Sequence, residues 1–236
     1  MQRGSTLAVY GLAFFVIVAC AACGSPAPES CTSRALAFNP AAGARYAMVV
    51  QEHDSSAAPD PSREPYRSTL SFARVGGGWR VVERGFNPLR NTPAQVGDLT
   101  AAEARWTLDV RGVPSAPVEE HGQAREGILQ HLSFFAFRPV GYAFRSTCPG
   151  EVSTSAWTDP AGRVRTFEFR IGRIERDVAV LSVRGTVATA ANTWSVQGEL
   201  RVSVTDGLIG EARLHETGPG APAVNDRQRI VRITRE

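Results

Sequence analysis

Between Trp194 and Val204 the side chains keep one parity: Trp194, Val196, Leu200, Val202 and Val204 are apolar, and Ser195, Gln197, Glu199, Arg201 and Ser203 between them are polar. Successive side chains of a β-strand point to opposite faces, so a period of two sustained this long fits a strand with one dry and one wet face, and fits no helix. Most of the chain repeats the theme. Val164 to Ile171 sets Phe167, Phe169 and Ile171 against Glu168 and Arg170, after the turn Asp159-Pro160-Ala161-Gly162. Val178 to Val183 is apolar on both sides, as in a central strand. Asp206-Gly207 predicts a type I′ hairpin into Leu208 to His215, and Ile230 to Ile233 closes the chain.

The first half reads similarly. Tyr46, Met48 and Val50 alternate within Gly43 to Glu52. After a loop over Asp54 to Pro65, Leu70 and Phe72 share a face, Gly76-Gly77-Gly78 turns the chain, and Trp79 and Val81 begin the return strand. Asn87 to Leu99 is irregular, and Thr100 to Glu103 has the spacing of a capping box on a one-turn helix. Trp106, Leu108 and Val110 then predict a half-buried strand. Pro117 to Phe137 alone has helical spacing, with Ala124, Ile128, Leu132 and Phe135 recurring at three or four residues, and Pro139 ends it. The expected fold is mainly β (α+β): a curved antiparallel sheet or half-barrel of about nine strands, with the one middle helix over its inner face. Leu132, Phe134, Phe135 and Phe137 give the end of that helix more bulk than one stripe needs. They either fill the core or line a cavity for an apolar ligand.

The amino terminus carries the address. Met1-Gln2-Arg3 precedes an uncharged stretch from Leu7 to Ala19, too short for the roughly 20 residues that span a bilayer. Cys20-Ala21-Ala22-Cys23-Gly24-Ser25 follows. The whole resembles a bacterial lipoprotein signal peptide, and that resemblance implies a diacylglyceryl group on the first mature cysteine. Ile17, three residues before Cys20, fits the lipobox. Ala21-Ala22 before Cys23 and the Pro26-Ala27-Pro28-Glu29 tether after it favour Cys23. Cleavage there also leaves Cys31 and Cys148 as an even pair in an oxidising compartment. Cys23 is the expected site and Cys20 the alternative. Residues 1–22 are then the signal, 23–42 a flexible tether and 43–236 one β-rich domain. A residue other than aspartate after the cysteine implies, by the same resemblance, the outer membrane, with the domain facing periplasm or cell surface. A Cys31–Cys148 bridge would close a loop of about 117 residues.

From Gly43 to His215 the chain resembles a loose class of β-rich bacterial lipoproteins. The likeness runs through Gly43 to Tyr46, Asp109-Val110-Arg111-Gly112, Trp157, Trp194 to Glu199 and Asp206-Gly207-Leu208, the last turn being shorter than that class has. A broader likeness is to half-barrel carriers of the LolA/LolB type.

Chemistry is sparse in the pattern. All 26 basic residues are arginine, interleaved with 23 acids for a net charge of +3, which gives no footprint for nucleic acid. The histidines, His53, His121, His131 and His215, lack the second ligand at a zinc spacing, and no metal or cofactor is expected. No Gly-x-Ser-x-Gly elbow occurs, and Glu168, Glu199 and Glu211 sit on wet strand faces, so no catalytic residue is assigned. The expectation is a non-enzymatic structural or interaction module of the envelope, held by its N-terminal lipid, with an envelope protein as partner. The alternatives are a carrier of lipid or another apolar ligand, and a hydrolase with an unrecognised site.

Overall fold

A computed structural model describes residues 31, 33–54, 66–86, 103–113, 119–121, 140–159, 162–219 and 226–236. Among these residues thirteen strands follow one another: β1 (Leu36–Ala37), β2 (Arg45–Asp54), β3 (Tyr66–Val75), β4 (Gly78–Phe86), β5 (Glu103–Leu108), β6 (Glu119–His121), β7 (Ala143–Phe144), β8 (Val152–Thr158), β9 (Val164–Glu175), β10 (Val178–Ala188), β11 (Thr193–Ser203), β12 (Ile209–Thr217) and β13 (Asp226–Arg235). Eleven of them form one antiparallel sheet in the order β6-β5-β4-β3-β2-β13-β12-β11-β10-β9-β8. The chain starts in the middle of the sheet, works outward to β6, crosses to the far edge at β8 and meanders back. The last strand thus lies beside the first long one, from Arg227 opposite Asp54 to Arg235 opposite Tyr46.

Alternation decides which face is dry. β8, and β12 from Ala212 onward, bury every second residue, and Phe167, Phe169, Ile171, Leu181, Leu200, Ala212, Leu214, Val231, Met48, Leu70 and Val81 form one inner core. Two bulges bend the sheet, each with a glycine as the extra residue. Ile171 faces Leu181 while Arg173 faces Val180, leaving Gly172 over; Arg201 faces Glu211 while Val202 faces Ile209, leaving Gly210 over. The curl brings the sheet's ends together. Arg111, just past β5, donates through Nη2 to the carbonyl oxygens of Thr154 on edge strand β8, at 2.9 Å, and of Gly141.

The inner face is covered by an unexpected element. β1 and β7 pair as a short ribbon, Leu36 opposite Phe144, which buries Leu36 and Phe144 together with the neighbouring Phe38 and Tyr142 and leaves Ala37 and Ala143 exposed. Phe38 meets Phe72 and Trp79 edge-on at 5.7 and 6.3 Å, and Tyr142 meets Phe169 at 5.4 Å, so the ribbon reaches from β3–β4 to β9. Leu36 and Phe38, assigned to the tether by sequence, are therefore core residues.

Four expectations are corrected. The described residues contain no helix, and Glu119–His121, expected in the middle helix, are β6, paired with Arg105 to Glu103 of β5. Those three residues precede the apolar stripe that begins at Ala124, and the open edge of β5 offers them backbone hydrogen bonds. The rest of that stretch, 117–118 and 122–137, lies outside the described residues, as do 100–102 of the one-turn helix expected at Thr100 to Glu103, whose Glu103 is instead the first residue of β5. Val110 is not in a strand but 57% exposed in a turn. The carboxylate of Asp109 accepts the N–H groups of Arg111 and Val113, and Gly112 takes a φ of 78°, which ends β5 at Leu108. The turn after β11 is wider than type I′: Gly207 alone takes positive φ, and its N–H reaches Ser203 O at 2.8 Å.

Candidate functional site

The wet face of β9–β13 carries a cross-strand row, Glu168, Arg184, Gln197, His215 and Gln228, fixed by the register of five strands. A twisted sheet is saddle-shaped, so the face opposite the core is itself hollow along one diagonal. The hollow measures about 680 Å³ over this row and joins another of about 760 Å³ lined by Thr154, Thr166, Thr186, Ser195 and Thr217. Arg184 pairs with Glu168 at 2.8 Å. The His215 ring lies 3.4 Å from the Gln197 amide through Nδ1, and its Nε2 meets the Asp226 carboxylate. Arg213 pairs with Glu211 at 3.0 Å and Arg232 lies 3.7 Å from the same carboxylate. Donors and acceptors thus repeat at the strand spacing of about 4.8 Å, a grid suited to an extended polar partner.

The other concentration of charge is buried. Arg165 shares the parity of Phe167 and Phe169 and is fully buried, with Asp159 at 2.7 Å and the Trp157 ring 5.2 Å from its guanidinium carbon. Arg229, inward like Val231, pairs with Glu216 at 2.9 Å, and both are buried. Burial pulls the Arg165 guanidinium down to about 10, against the charge of Asp159. Burial would raise Asp159, but the Arg163 N–H, the Arg165 charge and the Arg163 side chain outweigh it and hold the carboxyl below its ordinary range. These pairs keep charge on a dry face by mutual neutralisation, a structural use. Parity alone marks them: Arg165, Glu216 and Arg229 each continue the apolar side of their strand beyond its last hydrophobic residue.

Of the residues singled out by sequence, Cys31 and Cys148 are joined as a disulfide with Cα atoms 4.5 Å apart. Glu168 and Glu211 lie on the wet face in ion pairs, and Glu199 sits opposite Arg213. His215 points into the hollow, and His53 and His121 fall in β2 and β6. Cys20, Cys23, His131, Leu132, Phe134, Phe135 and Phe137 are outside the described residues. No group of three or more metal-capable side chains gathers among the described residues. No protein-family model, curated protein or solved structure matches this chain.

Proposed function

We propose that the chain is a lipid-anchored envelope protein whose β domain is a non-enzymatic interaction module. It is tethered through Cys23, or alternatively Cys20, and offers the polar hollow of β9–β13 to an envelope partner. One observation carries the choice of module over carrier: among the described residues, the chain's own β1–β7 ribbon lies over the apolar inner face of what reads as a half-barrel, and the hollow of β9–β13 is on the polar outer face. The signal-like amino terminus supports the anchor, and a disulfide between Cys31 and Cys148 suits an oxidising compartment.

The test is intact-mass analysis of the protein purified from membranes in mild detergent, with organic extraction of the same sample. A diacylglyceryl-modified cysteine and no stoichiometric apolar molecule are expected. An unmodified amino terminus overturns the anchor. A lipid extracted one-to-one, beyond the covalent group, overturns the module in favour of the carrier.

A further inference from the structure

We propose that the rim of the sheet at the Gly76–Gly77 end is a docking surface for an anionic lipid bilayer; this rests on the lipoprotein reading above. Apolar side chains standing in water are the first observation. Val75, Val110 and Val152 are 40%, 57% and 42% exposed, and all three lie at this end, where β3 ends, β5 exits and β8 begins. Their proximity follows from Arg111, which ties the turn holding Val110 to Thr154 of β8.

Charge is the second. Arg34, Arg74, Arg145 and Arg176 are exposed on the same rim. Arg34 reaches Thr205 O at 3.4 Å; Arg74 bonds Asn39 Oδ1 at 2.8 Å and lies 4.5 Å over the Trp79 ring. Asn39 N bonds Asp206 O at 2.6 Å and Val204 N bonds Asp177 O at 2.8 Å, which joins the Arg176 turn to this edge. The rim also carries the exposed acids Asp177 and Glu236, and Glu175, whose side chain is 38% exposed, is taken up by Arg173 and Arg201. The Glu151 carboxylate is taken up by the N–H groups of Arg145 and Ser146. Basic groups beside exposed aliphatic side chains match a bilayer interface, with phosphates outside and acyl chains beneath.

The tether is the third. Gly150 N bonds Ile171 O at 2.7 Å, so the Cys31–Cys148 bridge sits at this rim. The eight residue-to-residue steps from Cys23 to Cys31 extend at most about 28 Å, less than the roughly 36 Å of an eleven-residue strand. The anchor therefore emerges at the end that carries the valines and arginines and holds that end close to the bilayer.

The experiment uses the full, lipidated protein in vesicles of phosphatidylcholine with or without 30% phosphatidylglycerol, choosing brominated acyl chains as quencher. A fluorescent unnatural amino acid is placed at Val110 or, as control, at Val164, which is exposed at the opposite end. Quenching at Val110 several-fold above Val164 is expected, falling when phosphatidylglycerol is omitted. Each arginine near an anionic surface multiplies attraction by about five-fold, so Arg34→Glu with Arg176→Glu should bring Val110 close to the control. In wild-type protein 0.5 M salt should do the same, independently of how the variant folds. Equal quenching at both sites, with a lipidated cysteine verified by mass in the same sample, overturns the docking surface alone. A missing lipid overturns the anchor on which it rests.

Discussion

The Tyr142 hydroxyl donates to the carbonyl oxygen of Gly207 at 2.6 Å, inside the core, and so pins the segment leading into β7 to the turn between β11 and β12. The same turn receives the other half of the ribbon: Asn39 N bonds Asp206 O, and a Cβ on Gly207 would stand 1.9 Å from Ala37 O. One turn therefore holds both strands that cover the inner face.

Replacing Tyr142 by Phe should cost about 1–3 kcal/mol, because the Gly207 carbonyl is left buried without its donor. Burial, and after it the charge of Asp206, push the Tyr142 hydroxyl far above the ordinary value of 10.0. A folded-state pKa above the unfolded one gives stability that is complete below pH 10 and declines above it. Urea midpoints at pH 7 and pH 11 should show a marked alkaline loss in wild type that is smaller in Tyr142→Phe. Equal losses in both proteins would show that Tyr142 does not carry the alkaline transition.

Asp159→Asn should be among the most damaging surface-distant changes, at about 3–5 kcal/mol, since it removes the carboxylate charge that lies 2.7 Å from the buried Arg165 guanidinium. Combining it with Arg165→Leu should recover much of that loss, because an apolar side chain suits the dry face better than a cation deprived of the Asp159 charge. The Asp159 carboxyl is held below its ordinary value of 3.8, so its contribution is present above that pH and fades as pH falls below it. Acid titration of stability by circular dichroism should show a shallower decline below pH 4 in Asp159→Asn than in wild type.

What the residues disclosed about the fold was periodicity. The Gly76-Gly77 hairpin and the dry faces of β2, β9 and β11 follow from parity and turn chemistry, because each residue's face depends only on its neighbours. The β1–β7 ribbon was illegible because two-residue strands have no period. Leu36 and Phe38 stand in an Ala- and Pro-rich stretch that composition assigns to a tether. The pairing of β2 with β13 is long-range and leaves no local signature. At the hollow, Glu168 and His215 were placed on the wet side by alternation, yet the concavity comes from twist and from bulges at Gly172 and Gly210, which side-chain patterns do not encode.

Gly198 and Gly77 should respond oppositely to alanine. A Cβ at Gly198 would lie 2.0 Å from Arg213 O, and backbone cannot yield as a side chain tip can, so Gly198→Ala should force β11 and β12 apart. A loss of more than about 3 kcal/mol, or failure to fold, is expected, of the size seen when a special backbone position is filled. At Gly77 nothing lies within 4 Å, so alanine there should stay within about 0.5 kcal/mol of wild type. Denaturation midpoints of the two variants check this directly, and equal effects would contradict the close approach at Gly198.

Reduction should loosen the end of the sheet where the tether enters. The Cys31–Cys148 bridge spans a sequence separation of 117, and in the chain-entropy account a loop of this size contributes about 4–5 kcal/mol by restricting the unfolded chain. The Cys31→Ser, Cys148→Ser pair should lower the stability by that order while leaving the sheet's circular dichroism intact, because the strand pairings of the eleven-stranded sheet do not involve either cysteine. Hydrogen exchange localises the effect: amides of 33–38 and 143–147 should lose protection well before those of β9–β12. Uniform loss across the sheet would mean that the bridge supports the whole fold and not this entrance alone.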